Sequence, residues 1–284
     1  MNALLTKRCA VALLGAMTLA LTMGLLACGP IRAAIAPAAP MATEPLQLLA
    51  ALNLLAAGSW GLLSAHRIGG TPERGGFERE PSSGDSPARL AWQLWFASTA
   101  LSGLASMAWQ TLPHDATLLL LAQLPTSATC VMLMCAFLAE RVDPLWGRAP
   151  ALLVALLLAT ASVSHWSVGQ AVHGEGDLRG LLLLQLLPLL LIPSGALRLE
   201  GRYTSRNDWR IVLTLYTLAL LAQAAGDRIA PWLGATPGQT LRQVLLTAAV
   251  AWLAQRAAAP AISPVVSSEG TSAREASTSL NTCG

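Results

Sequence analysis

Charge is scarce in this sequence, and the places where it is missing exclude several kinds of protein. Aspartate, glutamate, lysine and arginine make up 12% of the 284 residues, against about 25% in soluble globular domains. Lys7 is the only lysine, an arginine bias that reads as a GC-rich bacterial genome. A net charge of +3 is too small to point to nucleic acid. None of the 15 acidic residues falls in the middle of an apolar run. Ionisable groups within a membrane mark ion and proton pathways, so their absence argues against a proton-coupled transporter or channel. Paired cysteine motifs are lacking as well. Cys9, Cys28, Cys130 and Cys135 lie in apolar segments and Cys283 in the tail, with no C-x-x-C pair and no Cys/His metal spacing. That excludes a disulfide framework, and the cysteines read as small buried hydrophobes.

What the chain does have is apolar runs. Hydrophobic residues make up 54%, bunched into stretches near the roughly 20 residues that cross a bilayer. The first follows Lys7 and Arg8 and runs from about Cys9 to Cys28. Leu25-Leu26-Ala27-Cys28 is a loose lipoprotein box, but the run is longer than a signal-peptide core of about 7–15 residues, so an uncleaved first helix is expected. A Pro/Ala-rich connector over 29–45 leads to spans near 46–65, 90–109, 116–139, 151–165, 180–197, 211–225 and 240–257. The stretch 66–89 is polar and rich in Gly, Ser and Pro, and 260–284 is a Ser/Thr-rich tail. No internal repeat stands out. The expected fold is an all-α, polytopic membrane helical bundle of eight spans. Residues 1–45 form the first span and its connector, 46–258 a seven-helix core, and 259–284 a disordered polar tail.

Orientation follows from counting basic residues on each side. With the N-terminus inside, 14 of the 18 lysines and arginines fall on inner segments, leaving Arg32, Arg179, Arg228 and Arg242 outside. Both termini are therefore expected in the cytoplasm of a bacterial inner membrane. Trp92, Trp95, Trp146 and Trp209 fall near inner ends and Trp109, Trp166 and Trp232 near outer ones, as interfacial anchors would. Pro125, Pro188 and Pro193 interrupt apolar runs and read as kinks.

Candidate site residues gather on the outer side. Ser106 and Gln110 are four apart and share a helix face, beside a loop with His114 and Asp115. His165 and His173 fall on the same side, so three of the four histidines do. Gln239 and Gln243 repeat the four-residue spacing at the start of the last span, after Thr236-Pro237-Gly238. Histidines there would make a zinc pair. Glutamine amides are poor zinc ligands beside imidazole or thiolate, though they can hydrogen-bond each other, a lipid amide or a neighbouring helix.

The order of these features resembles the bacterial alkaline ceramidase-like membrane proteins, within the superfamily of seven-helix zinc-dependent amidases that includes the adiponectin receptors. The matching stretches are GLASMAW (103–109), LP (124–125), FLAERVDP (137–144), SHW (164–166), GDLRG (176–180), LLQLLPLLLIP (183–193), RYTSRND (202–208), LYTLAL (215–220) and GQTLRQ (238–243). They span roughly 53–256, with the first helix as an addition. The resemblance implies a zinc site, in which a bound water of lowered pKa attacks an amide. Its positions fall here on Ser106, which is kept, on Gln110, Gln239 and Gln243 in place of three histidines, and on Ala122 in place of an aspartate. Leu220 and Gln223 stand where a lysine and a glutamate are expected.

The expectation is thus a ceramidase-like fold with no metal and no cofactor, its hydrolytic step lost. Ser106, Gln110, His114, Gln239 and Gln243 would line a pocket for a membrane lipid, of ceramide-like kind, or for a partner. The alternative is an active lipid amidase acting on a sphingolipid-like amide, with a metal site rebuilt from His114, Asp115, His165 or His173.

Overall fold

The computed structural model describes residues 2–33, 45–66, 87–111, 116–199, 201, 203–226 and 237–258. Most of the connector, the 67–86 stretch, His114, Asp115, Trp232 and the tail lie outside the described residues. Eight long helices occupy nearly all of what is described: α1 (Asn2–Ala27), α2 (Pro45–Ala65), α3 (Pro87–Thr111), α4 (Ala116–Arg141), α5 (Ala149–His173), α6 (Arg179–Arg198), α7 (Arg206–Ala224) and α8 (Pro237–Ala258). A 3-10 turn, Pro144–Gly147, joins α4 to α5. Pro125 lies inside α4, and Pro188 and Pro193 inside α6.

Five helices (α1, α2, α4, α5 and α6) are long and apolar enough to cross a membrane. The other three are long but less apolar, because they carry residues such as Gln93, Ser102, Arg206, Asp208, Gln239, Arg242 and Gln243. Their place in the bundle explains this. Helices α2, α3, α4, α6, α7 and α8 form a ring by successive contacts, with α8 returning to α2. Helix α5 lies outside, against α4 and α6, and α1 packs on α6. The less apolar helices are all ring members, so polar side chains on them can face the interior instead of lipid.

At one end of the ring the chain is fastened by buried polar contacts. Asp208, 2% exposed, closes the capping box of α7 with Ser205. Its Oδ1 also accepts from Trp252 Nε1 at 3.0 Å and meets Arg256 Nε of α8 at 2.7 Å. At the other end, β1 (Arg32–Ala33) pairs antiparallel with β2 (Gly176–Asp177), and Leu178 N–H donates to the Ile31 carbonyl at 2.9 Å. This strand pair puts the C-terminal ends of α1 and α5 on one side, as strict alternation requires of the first and fifth helices. Arg179 bridges Asp177 at 2.6 Å and, by hydrogen bonding, holds that carboxyl below its usual range.

Two expectations are corrected by the core. Trp92, Trp95 and Trp209 are not interfacial anchors but 2%, 3% and 0% exposed. They pack with Phe96 and Phe137, Trp92 edge-to-face on Trp95 at 5.5 Å and Trp209 edge-to-face on Phe137 at 5.2 Å. Mutual packing at such distances adds to burial what a headgroup position does not offer. Trp166 is likewise buried, whereas Trp146 stays exposed. Of the cysteines, Cys130 and Cys135 are buried as expected, but Cys9 and Cys28 are exposed because α1 touches the bundle along one side only.

Candidate functional site

A cavity opens inside the ring, toward the end where α3 and α7 finish and α4, α6 and α8 begin. It encloses about 940 Å³ of empty space, mouth included. Helical periodicity decides what lines it. On α3 the stripe Trp95, Thr99, Ser102, Ser106 advances by four, three and four residues, and on α8 Gln239, Gln243, Leu246 and Val250 advance by four, three and four. Each set lies on one face of its helix. Thr126, Thr129 and Cys130 of α4, Gln185 and Pro188 of α6, and Tyr216 of α7 complete the polar half of the wall.

The polarity is graded. Ser106, Gln239, Arg242 and Gln243 lie toward the end where α3 finishes and α8 begins, whereas Trp95, Leu246, Ala249 and Val250 lie further along the same helices. From Ser106 to Trp95 the α3 stripe descends about 16 Å, at 1.5 Å per residue.

Most hydroxyls of the wall are committed. Thr126 Oγ1 donates to the Ala122 carbonyl at 3.0 Å and therefore accepts from Ser102 Oγ at 3.1 Å. Thr99 and Thr129 donate to the carbonyls of Trp95 and Pro125. Tyr216 Oη donates to the Gln185 carbonyl at 2.9 Å, just ahead of the break that Pro188 makes in the α6 ladder. With its proton so placed, Tyr216 can only accept from the Cys130 thiol, 3.9 Å away.

Among the described residues, Ser106, Arg242 and Gln243 form no such side-chain bonds. Gln243 is 3% exposed and its Oε1 is buried without a partner. Unsatisfied buried polar atoms are uncommon in folded proteins and call for an explanation.

Of the residues singled out from sequence, Ser106, Gln239 and Gln243 come together on this wall although more than 130 positions separate Ser106 from Gln239. Gln110, one turn beyond Ser106, is not part of the lining, and its Oε1 is buried and unpartnered. Ala122 reaches the wall only through its carbonyl, by way of Thr126. His165 and His173 belong to α5, outside the ring, and do not line the cavity. His114 lies outside the described residues. Among the described residues, no three His, Cys, Asp or Glu side chains gather as metal ligands would.

One residue changes role. Arg242 reads in the sequence as an outer-side topological charge, but it lies on the cavity wall between Gln239 and Gln243. Tyr216, Ser102 and Thr126 were also not singled out, since isolated hydroxyls in apolar runs carry no spacing signal of their own. Family models, curated proteins and solved structures were all compared with this chain, and none matches.

Proposed function

We propose that this chain is an eight-span membrane protein of ceramidase-like arrangement whose cavity binds a lipid and no longer hydrolyses it. The observation that carries this reading is the graded cavity: more polar toward the end where α8 begins, more apolar further along, and enclosed by helices with abundant exposed leucine. That is the shape of an amphiphile, with a head to hydrogen-bond and a tail to remove from water. The basic-residue asymmetry supports cytoplasmic termini, and Arg242 now leaves the outer count.

The wall is a poor fit for the zinc that the family resemblance implies. Beside Arg242 it offers one uncommitted hydroxyl (Ser106) and two amides (Gln239 and Gln243), and among its described lining Cys130 is the single thiol, with no histidine or carboxylate. Amide oxygens are weak zinc ligands beside imidazole and thiolate, and the fixed positive charge of Arg242 adds repulsion toward a dication. Of the residues a rebuilt amidase site would draw on, His165 and His173 are carried away from the cavity by α5, and His114 and Asp115 lie outside the described residues.

Protein purified in detergent without chelator is expected to hold far less than one zinc per chain and to leave a fluorescent ceramide intact, while quenching a membrane-soluble fluorescent lipid through Trp95. Zinc near one per chain, or turnover abolished by Ser106→Ala, would overturn the reading.

A further inference from the structure

The cavity holds a positive charge, and among the described residues no negative one answers it. Arg242 forms no ion pair and no hydrogen bond among the described residues, and the ionisable groups that face it are Tyr216 and Cys130. Both are neutral in their ordinary forms near pH 7. Of the described acidic side chains, Glu140, Asp143 and Asp208 lie at the opposite end of the ring, Asp177 pairs with Arg179 at the β1–β2 pair, and the exposed Glu175 beside it is not part of the cavity lining. A desolvated guanidinium without a counter-charge is costly, and inside a membrane such groups mark functional positions.

A second, independent observation points the same way. Gln243, next in sequence and on the same wall, is 3% exposed and makes no side-chain hydrogen bond among the described residues; its Oε1 is buried without a donor, and a half-turn of the amide presents Nε2 there as a donor instead. Gln239 lies one turn before it. A guanidinium flanked by two amides supplies a fork of N–H donors with no carboxylate to accept them. What such a fork lacks is a ligand with oxygen acceptors and negative charge.

We propose that Arg242, supported by Gln239 and Gln243, is an anion subsite that takes the head group of a singly charged amphiphile, a carboxylate or a phosphodiester. The inference rests on the lipid-cavity reading and gives it a sign. One guanidinium neutralises one charge, so a monoanion leaves the cavity neutral, whereas a dianionic phosphate monoester would leave a buried negative charge. The hydroxyl oxygen of Tyr216 adds no competing charge, because its proton is committed to the Gln185 carbonyl. The tail of the ligand runs down toward Leu246 and Val250, along the apolar part of the same α8 face.

The test uses the full chain in nanodiscs of uncharged detergent-exchanged lipid. The probes are a pyrene-tailed carboxylate, a pyrene-tailed phosphatidylglycerol, the pyrene-tailed alcohol of matching length, and inorganic phosphate as competitor. The wild type is expected to bind the two anionic probes at least tenfold more tightly than the alcohol. Arg242→Gln should erase that preference and keep alcohol binding, and Arg242→Lys should restore part of it. Should Arg242→Gln fail to fold, Gln243→Leu, which removes the amide and keeps the charge, should weaken the anionic probes several-fold more than it weakens the alcohol. Displacement by millimolar phosphate would support the subsite with a free anion as its occupant. Equal binding of charged and uncharged probes by the wild type overturns the subsite but leaves the lipid cavity standing. Binding of none of the amphiphiles overturns both.

Discussion

Arg141→Met is expected to leave little folded protein after purification in detergent, with a loss of about 3–5 kcal/mol, the scale for removing one member of a buried charged network. The reason is where the guanidinium goes. Arg141 ends α4 and is 5% exposed. Its Nη1 donates to the Leu199 carbonyl at 2.6 Å and its Nη2 to the Thr204 carbonyl at 2.6 Å. The neighbouring carboxylate oxygen, Glu140 Oε1, accepts from Thr204 N at 2.8 Å and Thr204 Oγ1 at 2.7 Å. Thr204 Oγ1 in turn accepts from Trp209 Nε1 at 2.7 Å. Two adjacent charged residues thus strap the α6–α7 connection to the end of α4. Gly201 leaves room for this, since a Cβ there would overlap the Arg141 guanidinium.

Methionine keeps the length of the side chain and removes every donor. Two buried carbonyls lose their partner, and Glu140 loses its neighbouring cation. The expected measurement is a thermal melt followed by size-exclusion profile, with Arg148→Met as the control. Arg148 is exposed and makes no side-chain bond among the described residues, so its loss should change stability by no more than about 0.5 kcal/mol. Glu140→Gln on top of Arg141→Met should recover part of the loss, because it removes the stranded charge. Arg141→Met melting with Arg148→Met would mean that Arg141 serves topology alone.

That pair of arginines shows what the sequence could and could not convey. Both belong to the inner set by side-counting, and both do lie beyond the apolar stretch of their helices. Side-counting needs only composition and order. It cannot tell a solvated charge from one bonded to carbonyls 58 and 63 residues away. Arg242 failed the same way: near the start of an outer-side helix it looked like a loop charge, and only closure of the ring from α8 back to α2 turned it inward. The tryptophans near helix ends misled for a related reason. Depth along a helix is legible from position, but the face that Trp92 or Trp209 presents depends on which helices surround it. Periodicity fared better. The four-residue spacing of Gln239 and Gln243 put them on one face, and they do share the cavity wall with Ser106. For Gln110, one turn past Ser106, the same rule did not suffice, because the lining ends before it.

The second large effect is expected at Gly103, where α3 crosses α2. A Cβ built on Gly103 would stand 2.6 Å from the Leu55 nitrogen and 2.8 Å from the Ala51 carbonyl oxygen. The opposing glycine gives the reciprocal contact: a Cβ on Gly58 would stand 2.6 Å from the Ala100 nitrogen. These are backbone atoms in the middle of helices, so no side-chain rotation relieves them. Small residues that let two helices approach this closely are a recurrent device for packing in membranes, where apolar surface alone does not favour helix over lipid.

Gly103→Val must therefore separate the helices. Overpacking costs about 1–3 kcal/mol where side chains can adjust, and a backbone-to-backbone clash belongs at or beyond the upper end. The consequence reaches the site, because Ser102 precedes Gly103 directly, Ser106 follows it within one turn, and α2 also packs on α8, which carries Gln239 and Gln243. We expect Gly103→Val to lower the melting temperature strongly and to abolish lipid binding, with Gly103→Ala intermediate. Gly24→Ala on α1 is the control. A Cβ there meets nothing within 4 Å, so the change should be neutral or stabilise the helix by roughly 0.5–1 kcal/mol. If Gly103→Val and Gly24→Ala melt alike, α2 and α3 do not cross at Gly58 and Gly103, and the wall that brings Ser106 to α8 is drawn wrongly.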